Sequence, residues 1–416
     1  MPGLNCTSSS LPQRTTWRAR PATLRRWATG FLASLLVAVP GCREDPQSPS
    51  AIDPPPALAT TAAALAFFQL SAGGTHSCGV TTDNRAYCWG ATDLGQLGDG
   101  STTPNLKLTP VAVAGGLQFR QISAGYRSTC AVALSRRAYC WGSNFRGQLG
   151  DGTTTDHPKP TPVAGGHLFR TVETGAGHTC GVSYPDDRVY CWGWNSDGQL
   201  GDGTRTDRHM PVAVASTLDF RQVTVGWRHT CGATKGDQAY CWGRNEFGQV
   251  GAPSGSDRQI RPFLVSRTLK FHQLDAGSQH TCGVTTDTRA FCWGDGRLGQ
   301  LGNGAKALAF APKAVAGGLH FTRVSAGNFY TCGETGADRA YCWGNVLEDA
   351  SGFTNQTVPW AVPGSLSFAQ VSAGGSQACG KTTASVGYCW GGNFDGELGD
   401  GTTSLSPAPR PVAGPM

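Results

Sequence analysis

Seven Cys-Trp-Gly triplets divide the chain at a nearly constant interval. Their tryptophans are Trp89, Trp141, Trp192, Trp242, Trp293, Trp343 and Trp390, spaced 52, 51, 50, 51, 50 and 47 residues apart. Such a period signals a solenoid or a propeller, in which a repeat buries its apolar face only against a neighbour. Each repeat opens with a short segment ending in small residues, such as "FRQISAG" (119–125). A "HTCGVTT" segment (280–286), a tight turn and "RAFCWG" (289–294) follow, then a glycine-rich loop and a "PVAV" segment (211–214). Three or four short β elements joined by turn chemistry describe a propeller blade. No repeat has a long amphipathic helical pattern, which argues against a helical solenoid. Small residues at the end of the first strand suit strands that converge on a central axis.

The Ala-Gly before the histidine, the Tyr-x-Trp-Gly strand end and the Gly-Gln-Leu-Gly loop recur in fixed order. The loop stands as "GQLGDG" at 95–100, 147–152 and 198–203, "GQLGNG" at 299–304 and "GELGDG" at 396–401. On these motifs the chain resembles the regulator-of-chromosome-condensation (RCC1-like) repeat family. The resemblance implies an all-β, seven-bladed β-propeller over residues 65–416. It also implies protein recognition through the propeller faces. The final "RPVAG" (410–414) either completes the last blade or pairs back onto the first, and the count of segments does not separate these.

The chain departs from the family pattern by placing two cysteines in every blade. With a three-residue turn at Thr82-Asp83-Asn84, Gly79 faces Tyr87 and Cys78 faces Cys88. Directly opposed antiparallel residues lie about 4.5–5.5 Å apart at Cα, within the reach of a disulfide. The spacing of ten recurs between Cys130 and Cys140, Cys231 and Cys241, Cys282 and Cys292, Cys332 and Cys342, and Cys379 and Cys389. Cys180 and Cys191 are eleven apart, with "YPDD" at the turn, so a four-residue loop keeps them opposed. Zinc sites favour ligands two to four residues apart, and separate blades would offer only two sulfurs each. Seven intra-blade disulfides are therefore expected, in an oxidising compartment.

Residues 1–42 carry Arg14, Arg18, Arg20, Arg25 and Arg26 and no acid. Removing these five from 34 basic residues leaves 29 against 28 acidic ones. A near-neutral body argues against a nucleic-acid partner. Arg25 and Arg26 precede the apolar run "FLASLLVAVP", the layout of an export signal and too short to span a bilayer. Val39-Pro40-Gly41-Cys42 resembles a bacterial lipoprotein cleavage box, in which Cys42 is acylated. Pro40 departs from the usual small or aliphatic residue there, and a simply cleaved signal is the alternative. Residues 43–64, rich in Pro, Ser and Ala, read as a tether. Arg43 in place of an inner-membrane retention Asp favours an outer-membrane or surface address.

His76, His178, His229 and His280 occupy one repeat position and read as polar residues bonded within their own blade, with a metal ring as the rival. Asp99, Asp151, Asp202 and Asp400 sit in Gly-Asp-Gly turns, where Asx turns are expected. No nucleophile elbow or phosphate loop is present, and no cofactor is implied. Repeats 4 and 6 abandon the Gly-Asp-Gly turn, and Trp194, Trp227, Phe329, Tyr330 and Trp360 add aromatics to the consensus. Loops on a rigid scaffold carry recognition, so Trp227, Phe329, Tyr330 and Trp360 are the candidate partner-binding residues. The leading reading is a monomeric, non-enzymatic binding or scaffold protein of a bacterial envelope, membrane-attached through its lipid. A secreted enzyme inhibitor, or a lyase or glycan hydrolase working at the central channel, are the alternatives.

Overall fold

Seven four-stranded antiparallel sheets make up the structure, a computed structural model that describes residues 65–349 and 352–415. The leader, Cys42 and the tether lie outside the described residues. In blade 1 the strands are β1 (Phe67–Ala72), β2 (His76–Thr81), β3 (Ala86–Gly90) and β4 (Lys107–Ala112), paired in that order. Every other blade repeats this order within one contiguous stretch of chain. The ring closes without a shared strand. Ser406–Pro411 pairs with Gly387–Gly391 and completes blade 7. Blade 7 then meets blade 1 through the Ala66↔Val386 bridge and a 2.7 Å bond from the Phe67 N–H to the Ser385 carbonyl.

The hairpin register is the one the cysteine spacing predicts. Cys78 opposes Cys88, and in blade 3 the longer turn keeps Cys180 opposite Cys191. Both pairs are disulfide-bonded. So are Cys130 with Cys140 and Cys231 with Cys241, in blades 2 and 4. Blades 5, 6 and 7 join Cys282 to Cys292, Cys332 to Cys342 and Cys379 to Cys389. The Cα separations in all seven bridges are 4.0–4.1 Å. These are the short distances of non-hydrogen-bonded antiparallel pairs. The outer strands begin earlier than the "PVAV" segments indicate: that of blade 3 runs Arg208–Ala213. Blade 6 differs more. Its irregular "loop" is a hairpin, with third and outer strands of ten residues each, Ala340–Asp349 and Gly352–Ala361.

The apolar cores lie between blades. Cys78, Val80 and Leu97 of blade 1 pack with Phe119, Ile122 and Trp141 of blade 2, and the pattern recurs around the ring. Three polar devices join the blades. The Gln-Leu-Gly loop is a latch: the Gln96 carbonyl accepts from the Thr129 hydroxyl at 2.8 Å and the Trp141 indole at 3.0 Å in the next blade. Gly98, in the left-handed region at φ +74, makes room for that indole, because a Cβ there would lie 2.6 Å from Nε1. An inner-strand glutamine is a second device. Gln69 donates to the Ile122 carbonyl and accepts from its N–H, both at 3.0 Å. Gln121, Gln222, Gln273 and Gln370 do the same to Val172, Leu274, Val324 and Leu70.

The four repeated histidines are the third device, and here the own-blade expectation is corrected. Each ring bonds the threonine of the following blade: His76 to Thr129, His178 to Thr230, His229 to Thr281 and His280 to Thr331, at 2.7–2.8 Å. The reason is geometric. The β1–β2 turn aims the first residue of the second strand across the blade boundary, where the neighbour's threonine is already fixed by the latch.

Candidate functional site

Strands that alternate in direction bring the β1–β2 turns and the β3–β4 loops to one face of the ring. On this face the first turn position varies from glycine to tryptophan. The turn residue after the glycine that follows the inner strand is Gly74, Tyr126, Ala176, Trp227, Ser278, Asn328 and Gly375 in blades 1 to 7. Blade 3 therefore has the small turn Gly175-Ala176-Gly177 between two aromatic ones. Across it Tyr126 and Trp227 stack, with ring centroids 6.3 Å apart and planes 16° apart. Both are about 40% exposed, as is Phe329, whereas large aromatics of the core are buried.

Arginines from the same loops gather around these rings. Arg146 lies 5.1 Å and Arg228 4.3 Å from the Trp194 ring centroid, within cation–π range. Phe145 and Phe247 extend the cluster, each beneath an arginine: Arg146 at 5.4 Å and Arg297 at 5.0 Å. Carboxylates accompany the cations at the rim, among them Asp197, 3.4 Å from Arg228, and Asp295, 2.7 Å from Arg297. The result is a face of aromatic and arginine side chains, the residue types that dominate interface energetics.

Of the aromatics singled out in the sequence, Trp194, Trp227 and Phe329 stand on this face, in blades 3, 4 and 6. Tyr330 does not. It is buried, its hydroxyl donates to the Gln377 carbonyl and accepts from the Gly374 N–H, and burial raises its pKa. It stands at the position of the clasping histidines and joins blade 6 to blade 7, so it is set aside as a binding residue. Trp360 is half-buried on the outer strand of blade 6, opposite Cys342, and shares a cleft with Tyr330. Sequence reasoning missed Tyr126, Phe145, Arg146 and Phe247. Aligning the repeats at the turn position would have placed Tyr126 beside Trp227.

The central channel opens on the same face. Its wall is a ring of hydroxyl residues, Ser71, Ser123, Thr224, Ser325 and Ser372, interrupted by Glu173 in blade 3 and Asp275 in blade 5. Burial pushes the Glu173 carboxyl up to about 8 and raises that of Asp275. Both carboxyls serve the ring. Glu173 accepts from Ser123 at 2.8 Å, and Asp275 accepts from Thr224 at 2.8 Å and from the Ala326 N–H at 3.0 Å. The Gly-Asp-Gly aspartates form the expected Asx turns: the carboxylates of Asp99, Asp151, Asp202 and Asp400 each accept the N–H two residues on. Among the described residues no group of three or more His, Cys, Asp or Glu could hold a metal ion.

The family model described as the RCC1-like domain matches residues 39–333. The chain is 35% identical over 253 residues to the ultraviolet-B receptor UVR8 of Arabidopsis thaliana, covering 59% of this chain and 57% of that protein. It is 29% identical over 254 residues to the human E3 ubiquitin-protein ligase HERC2, covering 59% of this chain and 5% of the ligase. The chain thus spans little more than half of the first relative and a small part of the second. In structure it is similar to human WBSCR16, with a TM-score of 0.73 at 19% identity over 79% of this chain and 94% of that one. Yeast RCC1 (Prp20), solved bound to Kap60, gives 0.69 at 18% identity over 78% and 83%. At these identities the structural likeness speaks to the fold.

Proposed function

The chain belongs to the RCC1-like family, and on that premise we propose that it is a non-enzymatic protein-binding propeller, exported and held at a bacterial cell surface by a lipid on Cys42. The face of β1–β2 turns and β3–β4 loops is its recognition surface. The observation that carries this reading is the cluster of Tyr126, Trp194 and Trp227 with Arg146 and Arg228 on one rigid face. Folding alone asks only for small or polar residues at these turns, as Gly74, Ser278 and Gly375 demonstrate. Inhibition of a secreted enzyme is one form such binding takes. Seven buried disulfides support an oxidising compartment.

A photo-crosslinking amino acid placed at position 227 or 329 tests the face on intact cells. One partner should be captured from those positions and not from position 287, in a β2–β3-type hairpin at the opposite end of the strands. Equal capture from both ends sinks the assignment. Labelling with a fatty-acid analogue tests the anchor: Cys42→Ala should abolish incorporation, and unchanged labelling removes the lipid from the reading.

A further inference from the structure

We infer that the pocket between blades 2 and 3 receives a carboxylate and an adjoining apolar side chain from a protein partner. The inference rests on the binding reading above and names the subsite and the chemistry that fills it. The cavity measures about 270 Å³. It exists because Ala176 and Gly177 leave the blade 3 turn without bulk, while Tyr126 and Trp227 rise on either side. At Gly177 a Cβ would point toward Trp194 and Arg146, at 3.4 Å and 3.8 Å, in ordinary contact, so glycine leaves open space that a side chain would occupy. Phe145 and Trp194 complete apolar walls.

Arg127 and Arg146 are the charged residues of the lining, and no carboxylate lines it among the described residues. Their nearest acids stand off at the rim: Arg127 is 4.0 Å from Asp93, and Arg146 is 3.8 Å from Asp207. Neither guanidinium makes a side-chain hydrogen bond in the described residues. Two forks of unspent donors beside aromatic walls match a carboxylate, which accepts two parallel N–H bonds from one arginine. The aromatic walls match an apolar side chain next to it. Charge complementarity and hot-spot residue types together favour a protein segment over a polysaccharide.

Four probes test this on the intact propeller: the peptides acetyl-Gly-Ser-Asp-Phe-Gly-Ser-amide, its Asn-Phe and Asp-Ala counterparts, and a sulfated disaccharide. Binding is read from the indole N–H resonances of Trp194 and Trp227. The Asp-Phe peptide should shift both and bind about tenfold tighter than either counterpart, as a charge-assisted contact implies. Arg127→Gln with Arg146→Gln, both at the surface, should erase the preference for Asp over Asn. Ala176→Phe should abolish binding of every peptide at an unchanged melting temperature. Equal affinity for the Asp and Asn peptides, or shifts that bypass the two indoles, overturns the inference. Tighter binding of the disaccharide than of any peptide overturns it in favour of an anionic glycan. If crosslinking at position 329, outside the pocket, still captures a partner while the peptides fail, the face stands and this pocket does not. If both fail, the binding reading falls as well.

Discussion

The imidazole Nε2 of His178 lies 2.8 Å from the hydroxyl oxygen of Thr230, in the next blade. The ring is fully buried, its Nδ1 meets no partner among the described residues, and desolvation holds its pKa down at about 3. His76 and His280 are held at about 4, and His229 at about 3, chiefly for the same reason. The unfolded chain titrates these groups near 6.5, so below that pH it binds more protons than the folded one and stability falls. Glu173 in the channel wall and the buried Glu334 and Glu397 act in the opposite sense. Burial raises them to about 8, 7 and 7 from an ordinary 4.5, so their contribution is present below 4.5 and lost as pH rises.

The two sets oppose one another between about pH 4.5 and 6.5, and each dominates on its own side. Melting temperature should therefore show a plateau in that window and fall on both sides. Aspartates such as Asp187, held low by Lys235 and Arg170, add to the acid fall at lower pH. His178→Gln isolates the histidine share. Glutamine is compatible there, since Gln377 fills the position in blade 7 and donates to the Gly73 carbonyl at 3.0 Å. The variant should lose less stability than wild type from pH 6.5 to 4.5 and keep the alkaline limb. Parallel acid limbs would refute the role of the ring.

Gly150 and Gly166 have nearly the same backbone, φ +73 and +70, but a Cβ at 150 would lie 2.5 Å from the Trp192 indole and one at 166 would meet nothing within 4 Å. Both alanine variants carry backbone strain of about 1–3 kcal/mol. Gly150→Ala adds overpacking of about 1–3 kcal/mol and displaces the Trp192 bond to the Gln148 carbonyl, which is 2.9 Å in the native latch. Urea titration should rank Gly150→Ala clearly below Gly166→Ala. Equal midpoints would show that the latch does not bear on stability.

The boundary between blades 6 and 7 lacks two of the three devices. Arg323 stands where the clasping glutamine should be, and blade 6 has a hairpin in place of the Gln-Leu-Gly latch. Glu334 is buried there, with Arg323 and the Val371 backbone as the groups that favour its charged form, at a position held by Val80, Val132, Val182 and Val284 in other blades. Hydrogen exchange under native conditions should find this seam opening before the blade 7–blade 1 boundary, although only the latter is a chain break. Arg323→Gln with Glu334→Val should stabilise the ring by at least about 1 kcal/mol, from one clasp gained and one buried acid removed. A neutral or destabilising result would mean that the native pair is already compensated.

Every disulfide sulfur is buried, 0–3% exposed by residue. Reduction should thus require unfolding, and native protein in reductant should resist alkylation until its melting transition. Replacing Cys180 and Cys191 together by alanine should cost roughly 2–3 kcal/mol, because the pair closes a short loop already closed by the hairpin. Peptide mapping that finds bridges between blades, such as Cys140 to Cys180 or Cys241 to Cys282, or free thiols before melting, would contradict the register.

What the sequence determined by itself was local and periodic. The Cys-Trp-Gly interval set the repeat, and the ten- and eleven-residue cysteine spacings set the hairpin register, because opposed residues in a hairpin depend only on turn length. Tyr330 shows the limit of that reading. Its aromatic ring marks a departure from the repeat, but whether a departure faces solvent or the next blade depends on the direction of the β1–β2 turn. Tyr126 shows the converse: an unremarked residue became part of the candidate site because Trp227 lies two blades on and Ala176 is too small to separate them. The clasps of Gln69, His178 and Gln96 were invisible for the same reason. Each is a contact between residues about one repeat apart or between a loop and the following sheet, and only closure of the ring brings those partners within hydrogen-bonding distance.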